Sequence, residues 1–132
     1  IMKKYVMLSI MFVLSIGYTM AQKQAEIKFD TLSYNFGEFH ESKPVVTAEF
    51  KFKNVGDAPL VIHRAMGSCG CTVPEYPEEP ILPGKTGVIK VKYNGKGRYP
   101  GHFKKSVTIR TNAKTEMVRL FVEGTMTPIE GK

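Results

Sequence analysis

Apolar and polar residues alternate along several short segments of this chain. In segment 45–53 the apolar residues occupy every second position and the polar ones occupy the positions between, with Val46, Ala48, Phe50 and Phe52 on one side. Successive side chains of a strand point to opposite faces, so this pattern predicts a half-buried strand. Segments 88–93, 102–111 and 116–123 alternate in the same way, and beyond residue 21 no segment has the spacing of an amphipathic helix.

Two further segments and the turns complete the predicted fold. We expect 27–36 to form the first edge strand, broken near Asp30, and 60–64 to form a short strand. Polar and glycine-containing turns are predicted at 54–57 and at Asn94-Gly95. Together these segments predict an all-β chain, an immunoglobulin-like antiparallel β-sandwich of about seven strands, with a barrel as the alternative fold.

The first 21 residues have the pattern of a cleaved signal peptide. Lys3 and Lys4 precede an uncharged apolar run at 6–20, and small residues stand near Ala21. A membrane-spanning helix needs about 20 apolar residues, so this run is short for an uncleaved anchor, which is the alternative. We therefore expect a signal peptide at 1–21, one domain at 22–132, no transmembrane span after cleavage, and a periplasmic or secreted protein.

The chain is moderately basic, with 19 Lys and Arg against 12 Asp and Glu. Such an excess gives weak attraction to anionic surfaces such as acidic polysaccharide or lipid headgroups. Nucleic acid is not an expected partner of an exported protein. The candidate binding surface is a predicted pair of basic strands that carries Lys90, Lys92, Lys104 and Lys105. The simpler interpretation of these lysines is a solvated face.

Prolines at 74, 77, 80 and 83 recur at a spacing of three. Proline lacks a backbone donor, so this stretch is not expected to form a central strand. A spacing of three suits a polyproline II ligand for an aromatic-lined groove, and the alternative is a stiff crossover between the two sheets.

Motifs of catalysis are absent from the sequence. The three histidines stand far apart at 40, 63 and 102, and no serine lies in a G-x-S-x-G turn. The glycine-rich segment 95–98 lacks the spacing of a phosphate loop. The sequence therefore favours a protein that is not an enzyme.

Cys69 and Cys71, separated by one glycine, are the only cysteines. In an oxidising compartment they are expected to form an intrachain disulfide, but a loop of three residues stabilises the fold by only about 1.6 kcal/mol. Three interpretations remain open. They are a reducible disulfide with exchange activity, a Cu(I) site in which Met66, His63 or His102 supplies further ligands, and a structural turn.

Several short motifs occur in an order that resembles the bacterial family called domain of unknown function 1573. They are Asn35-Phe36-Gly37, segment 50–62, Ser68-Cys69-Gly70-Cys71-Thr72, Leu82-Pro83-Gly84 and Gly101-His102-Phe103. The resemblance covers about 27–124. It implies an exported immunoglobulin-like sandwich akin to the ASH/Hydin and major-sperm-protein domains, which act as binding or scaffolding modules, and it supplies no reaction.

These observations predict a non-enzymatic binding or structural module of the cell envelope. We expect it to contact an unknown envelope protein, or an anionic surface, through a sheet edge or loops. The alternative function is copper binding or thiol redox chemistry at the Cys69-Gly70-Cys71 turn.

Overall fold

The alternating segments form strands of two separate sheets. The computed structural model describes residues 23–129, so the predicted signal peptide lies outside the described residues. Within 23–129 there are eight strands and no helix, and hence no helix that is long and apolar enough to cross a membrane. The strands are β1 (Ile27–Phe29), β2 (Ser33–His40), β3 (Val45–Asn54), β4 (Ile62–Gly67), β5 (Thr72–Glu75), β6 (Thr86–Asn94), β7 (Gly101–Thr111) and β8 (Met117–Thr127).

Each sheet has four strands. The first sheet has the order β1-β3-β6-β5, and the second has the order β2-β8-β7-β4. All strand pairs are antiparallel except β2 and β8, which run parallel. The predicted all-β sandwich is therefore confirmed, with eight described strands instead of about seven and with two sheets instead of a closed barrel.

The interpretation of 27–36 as one edge strand is wrong. β1 pairs with β3 in the first sheet, whereas β2 pairs with β8 in the second, so the break near Asp30 is a change of sheet. The Asp30 N–H donates to the carbonyl of Lys51, and the Leu32 carbonyl accepts from Phe121 N–H, which places the two ends of this link on opposite sheets. Alternation reports which face of a strand is buried, but it does not report which sheet the strand joins.

The apolar faces of the two sheets meet in one core. β3, β6, β7 and β8 contribute most of its largest buried side chains, including Phe50, Phe52, Ile89, Val91, Val107, Ile109, Leu120 and Val122. Burial of each such side chain is worth about 1.5–3 kcal/mol. At one end of the sandwich the rings of Tyr93 and Phe103 stack with centroids 3.8 Å apart. The core thus joins the two sheets through the strands that the alternation predicted.

The proline-rich stretch does not cross between the sheets. Pro74 lies in β5, an edge strand, where the missing N–H is tolerated. The chain then returns to β6, the neighbour of β5 in the same sheet, and Ile81 forms a bridge with Leu60 on the way. The predicted crossover between sheets is therefore wrong for this stretch, and the crossover lies earlier, between β4 and β5.

Candidate functional site

Cys69 and Cys71 lie where the chain passes from the second sheet to the first. A disulfide joins them, and their Cα atoms are 5.3 Å apart. On one side of this turn the Ser68 N–H donates to the Ser106 carbonyl of β7, at 2.8 Å. On the other side the Cys71 carbonyl accepts from Asn94 N–H at the end of β6, at 2.8 Å. The bridge therefore closes a short crossover whose two ends are each anchored to a different sheet.

The crossover is tightly packed. Cys71 is buried and Cys69 is partly buried. The hydroxyl oxygen of Thr72 lies 3.7 Å from each sulfur atom, and the Cys71 N–H donates to the sulfur of Cys69 at 3.3 Å. A side chain at Gly67 would collide with the carbonyl of Thr72. These contacts fit a structural turn with a local bridge.

The other predicted copper ligands have separate surroundings. His63 lines a depression with Asn112 and Glu116, and His102 lies 3.3 Å from the carboxylate of Glu123. Met66 is exposed on the outer face of the second sheet. Within 23–129 no group of three or more His, Cys, Asp or Glu side chains is arranged to hold a metal ion.

Copper binding stays a prediction for the reduced protein. Titration of the reduced protein with Cu(I) tests it, and a Cys69→Ser, Cys71→Ser double variant is the control.

The four candidate lysines do not form one surface. Lys90 and Lys92 lie on β6, which pairs with β3 and β5, whereas Lys104 and Lys105 lie on β7, which pairs with β4 and β8. The predicted pair of basic strands is therefore wrong, because each strand has its neighbours in a different sheet. Lys105 is partly buried on the inward side, as its place in the alternation requires.

Acidic residues also stand beside these lysines. Lys90 lies directly between Glu49 of β3 and Glu75 of β5 in the strand register. Lys104 faces Glu123 across β7 and β8, and its ammonium lies 5.3 Å from the centroid of the Phe121 ring. Opposite charges on facing strands stabilise a sheet. The lysines thus fit solvated faces with local charge compensation.

Unpaired strand edges are the usual places where a sandwich receives another chain, and three of the four edges here are protected. β1 has only three residues, and β5 has four with Pro74 among them. β2 is longer, but the Thr31 hydroxyl donates to the Ser33 carbonyl and accepts from its N–H. In β2, Gly37 also adopts φ 70° at a bulge and donates its N–H to the side chain of Asn35.

The fourth edge, β4, is open over its middle. The backbone N–H of Ser68 donates to β7. In an antiparallel pair the N–H and C=O groups of every second residue point to the same neighbouring strand, so the backbone groups of Met66 and Arg64 also point to β7. The N–H and C=O of Ala65 consequently point away from β7, where no other described strand pairs with β4. The prediction of a strand at 60–64 stopped short of this edge, because the apolar alternation ends at Ile62.

A family model described as "Protein of unknown function (DUF1573)" matches residues 27–126. Among solved structures, a protein of unknown function from Porphyromonas gingivalis W83 is similar, with a TM-score of 0.68 and 15% identity over 82% of this chain. The chain spans 50% of that protein's length.

Two further structures share the fold. The ASH / PapD-like domain 7 of human CEP192 has a TM-score of 0.64 and 8% identity, over 86% of this chain and 93% of that one. The periplasmic chaperone SfaE has a TM-score of 0.53 and 10% identity, over 77% of this chain and 57% of that one. No curated protein matches significantly. At these identities the likeness shows the fold alone.

Proposed function

The chain belongs to the family described as protein of unknown function (DUF1573), and we propose that it is a non-enzymatic protein-binding module that receives a strand of a partner protein along β4. The observation that carries the proposal is the open edge at Ala65, the one edge of the described sheets with neither a short strand nor a proline nor a side-chain cap. The likeness to a PapD-like domain and to a periplasmic chaperone supports a protein-binding role.

Strand addition at β4 has a simple physical basis. An incoming strand would pair its backbone with the N–H and C=O of Ala65, which gives affinity without depending on sequence. The small Ala65 side chain packs partly buried against the core, so an apolar side chain of the partner would lie beside it on the inner side. Met66 is exposed on the outer side and offers a second apolar contact.

We also propose that this module works outside the cytoplasm, in the periplasm or beyond it. The signal-peptide pattern of 1–21 supports this location, because it combines a basic head, an apolar run and a small residue at Ala21. The disulfide at the crossover agrees with an oxidising compartment.

Replacement of Ala65 by proline tests the binding edge. Proline removes the N–H that a partner would use, while the β4–β7 bonds of Arg64 and Met66 remain. The matched control is Ser33→Pro, which changes the edge of β2. Both proteins are crosslinked in an envelope extract, the captured proteins are identified by mass spectrometry, and circular dichroism confirms the fold.

We expect Ser33→Pro to keep the partner and Ala65→Pro to lose it. Amide exchange at Ala65 should also slow in the complex of the unmodified protein. Equal capture by the unmodified protein and both variants, or no capture after crosslinking, would overturn the β4 proposal.

A further inference from the structure

Six side chains on the outer face of the second sheet form a regular array around a depression of about 280 Å³. The strand register arranges them in two rows across β4, β7 and β8. One row is Arg64, Arg110 and Met117, and the other is Met66, Thr108 and Arg119. Facing residues in a sheet lie about 5 Å apart, and the side chains of all three arginines line this one depression.

The basic residues of this array are all arginines. The chain has four arginines, and three of them line this depression, whereas no lysine of the described residues does. A solvated basic face requires only positive charge, which lysine supplies elsewhere on this protein. Arginine presents a planar fork of donors that matches the oxygen atoms of an oxyanion, so its concentration here points to recognition of such a group.

Within 23–129 no carboxylate lies within 4.0 Å of a guanidinium group of the array. Arg64 and Arg110 stand directly opposite each other, and like charges in that position destabilise a sheet. The ion pair recorded within 23–129 joins His102 and Glu123, which lie farther along β7 and β8. Glu116 lines the neighbouring depression with Arg110, yet no ion pair within 4.0 Å joins them.

The chemistry of the six side chains suggests the ligand. We propose that this depression binds a phosphate monoester, a dianionic group, next to an apolar part of the same molecule. Three guanidinium groups suit two negative charges better than the single charge of a carboxylate, and the Thr108 hydroxyl offers another donor. Met66 and Met117, each about half exposed, supply apolar contact on either side. This site adds a second ligand to the protein-binding role and does not depend on it.

Phenyl phosphate is a suitable probe because it combines both parts of the proposed ligand. Isothermal titration at low salt should show that it binds, that phenyl sulfate, with one charge, binds more weakly, and that phenol does not bind. Arg110→Gln should weaken the binding of phenyl phosphate at least tenfold, and Arg119→Gln should weaken it similarly. Arg98→Gln, which changes the arginine outside the depression, should leave the affinity unchanged.

Thermal unfolding gives a second test, in which the variant that loses ligand binding should gain stability in the absence of ligand. Without ligand, Arg110→Gln should raise the melting temperature at low salt, because it removes the repulsion with Arg64. The same variant should lose the stabilisation by phenyl phosphate. Equal affinities in the unmodified protein and Arg110→Gln, or an equal loss in Arg98→Gln, would overturn the site.

Two further arms identify the source of the phosphate. Cosedimentation with vesicles containing phosphatidic acid, but not with phosphatidylcholine vesicles alone, would support a lipid headgroup. Binding of phenyl phosphate without cosedimentation would support a soluble ester. Ala65→Pro should keep phosphate binding, which separates this site from the strand-addition edge.

Discussion

The crossover between the sheets requires a glycine at position 67. Gly67 lies so close to the Thr72 carbonyl that a β-carbon there would collide with the backbone, whereas a β-carbon at Gly70 would meet nothing within 4 Å. We predict that Gly67→Ala lowers the free energy of unfolding by about 1–3 kcal/mol, the usual cost of forcing an atom into packed space. Urea unfolding measures the effect. Gly70→Ala is the matched control, and an equal loss in both variants would contradict the prediction.

The buried phenol of Tyr93 makes stability depend on pH at the alkaline end. Burial raises the pKa of Tyr93 above its usual 10.0, and the positive charge of Arg98 opposes this only in part. Since the folded state favours the neutral phenol, the contribution of Tyr93 to stability is complete below pH 10. It is lost as the pH rises from there through the higher folded-state pKa.

We therefore predict that Tyr93→Phe, which keeps the stack on Phe103, loses stability less steeply above pH 10 than the unmodified protein. Denaturant unfolding between pH 8 and 11 measures the difference. Tyr99→Phe serves as the control because Tyr99 is 98% exposed. Parallel curves for Tyr93→Phe and the unmodified protein would disprove the effect of burial.

At the scale of elements, the end of β3 is fastened to its surroundings by one buried amide. The Asn54 side chain donates to the carbonyls of Ala58 and Ile81, each at 2.8 Å, and accepts from Gly56 N–H at 3.0 Å. We predict that Asn54→Ala costs about 2–3 kcal/mol, because buried backbone groups lose their partners.

Asn112 provides the comparison for this prediction. Its side chain also accepts from one backbone N–H, of Val61, and donates to one carbonyl, of Pro59, but it is exposed. Water can replace those bonds, so Asn112→Ala should cost less than about 1 kcal/mol. Urea unfolding of the two variants measures both losses of unfolding free energy. Equal losses would show that burial of Asn54 is not the cause of its effect on stability.

The strands with clear alternation could be predicted because their burial follows directly from residue type. Segment 45–53 became β3 and segment 88–93 became the main part of β6, with the expected residues buried except Val46, which is partly buried. β5 was not predicted, because Thr72–Glu75 is short and contains Pro74. The pairing of strands also escaped prediction, since it depends on how distant segments meet and not on any local pattern.

The candidate sites show the same division. A bond between Cys69 and Cys71 was foreseeable because the two residues are neighbours in the chain. The arginine array was not, because its residues come from three strands and meet only through the register of β4, β7 and β8. The four candidate lysines are separated for a related reason, because β6 and β7 belong to different sheets. A partial signal existed in the sequence, since few arginines occur and Arg110 and Arg119 lie on predicted strands.

At the scale of the whole molecule, the proposed binding features lie on the second sheet. β4 provides both the open edge at Ala65 and one side of the arginine array through Arg64 and Met66. The outer face of the first sheet carries lysines beside glutamates, as at Lys90, and in the second sheet Lys104 faces Glu123 farther along β7 and β8. Both proposed binding features thus lie on the second sheet, whereas the outer face of the first sheet is proposed only as a solvated face.

The position of the core makes a final prediction about the mature chain. All eight described strands and the buried core lie between Ala25 and Thr127, so removal of 1–21 takes away none of them. Residues 22–132 should therefore fold alone, with a β-type circular dichroism spectrum and one cooperative urea transition. When residues 1–132 are expressed and exported, the recovered protein should have the mass of a chain that begins at Gln22. A charged residue in place of Ala21 should block that cleavage. An unfolded 22–132 chain would show that the segment before it belongs to the fold, and an uncleaved exported chain would favour a membrane anchor over a signal peptide.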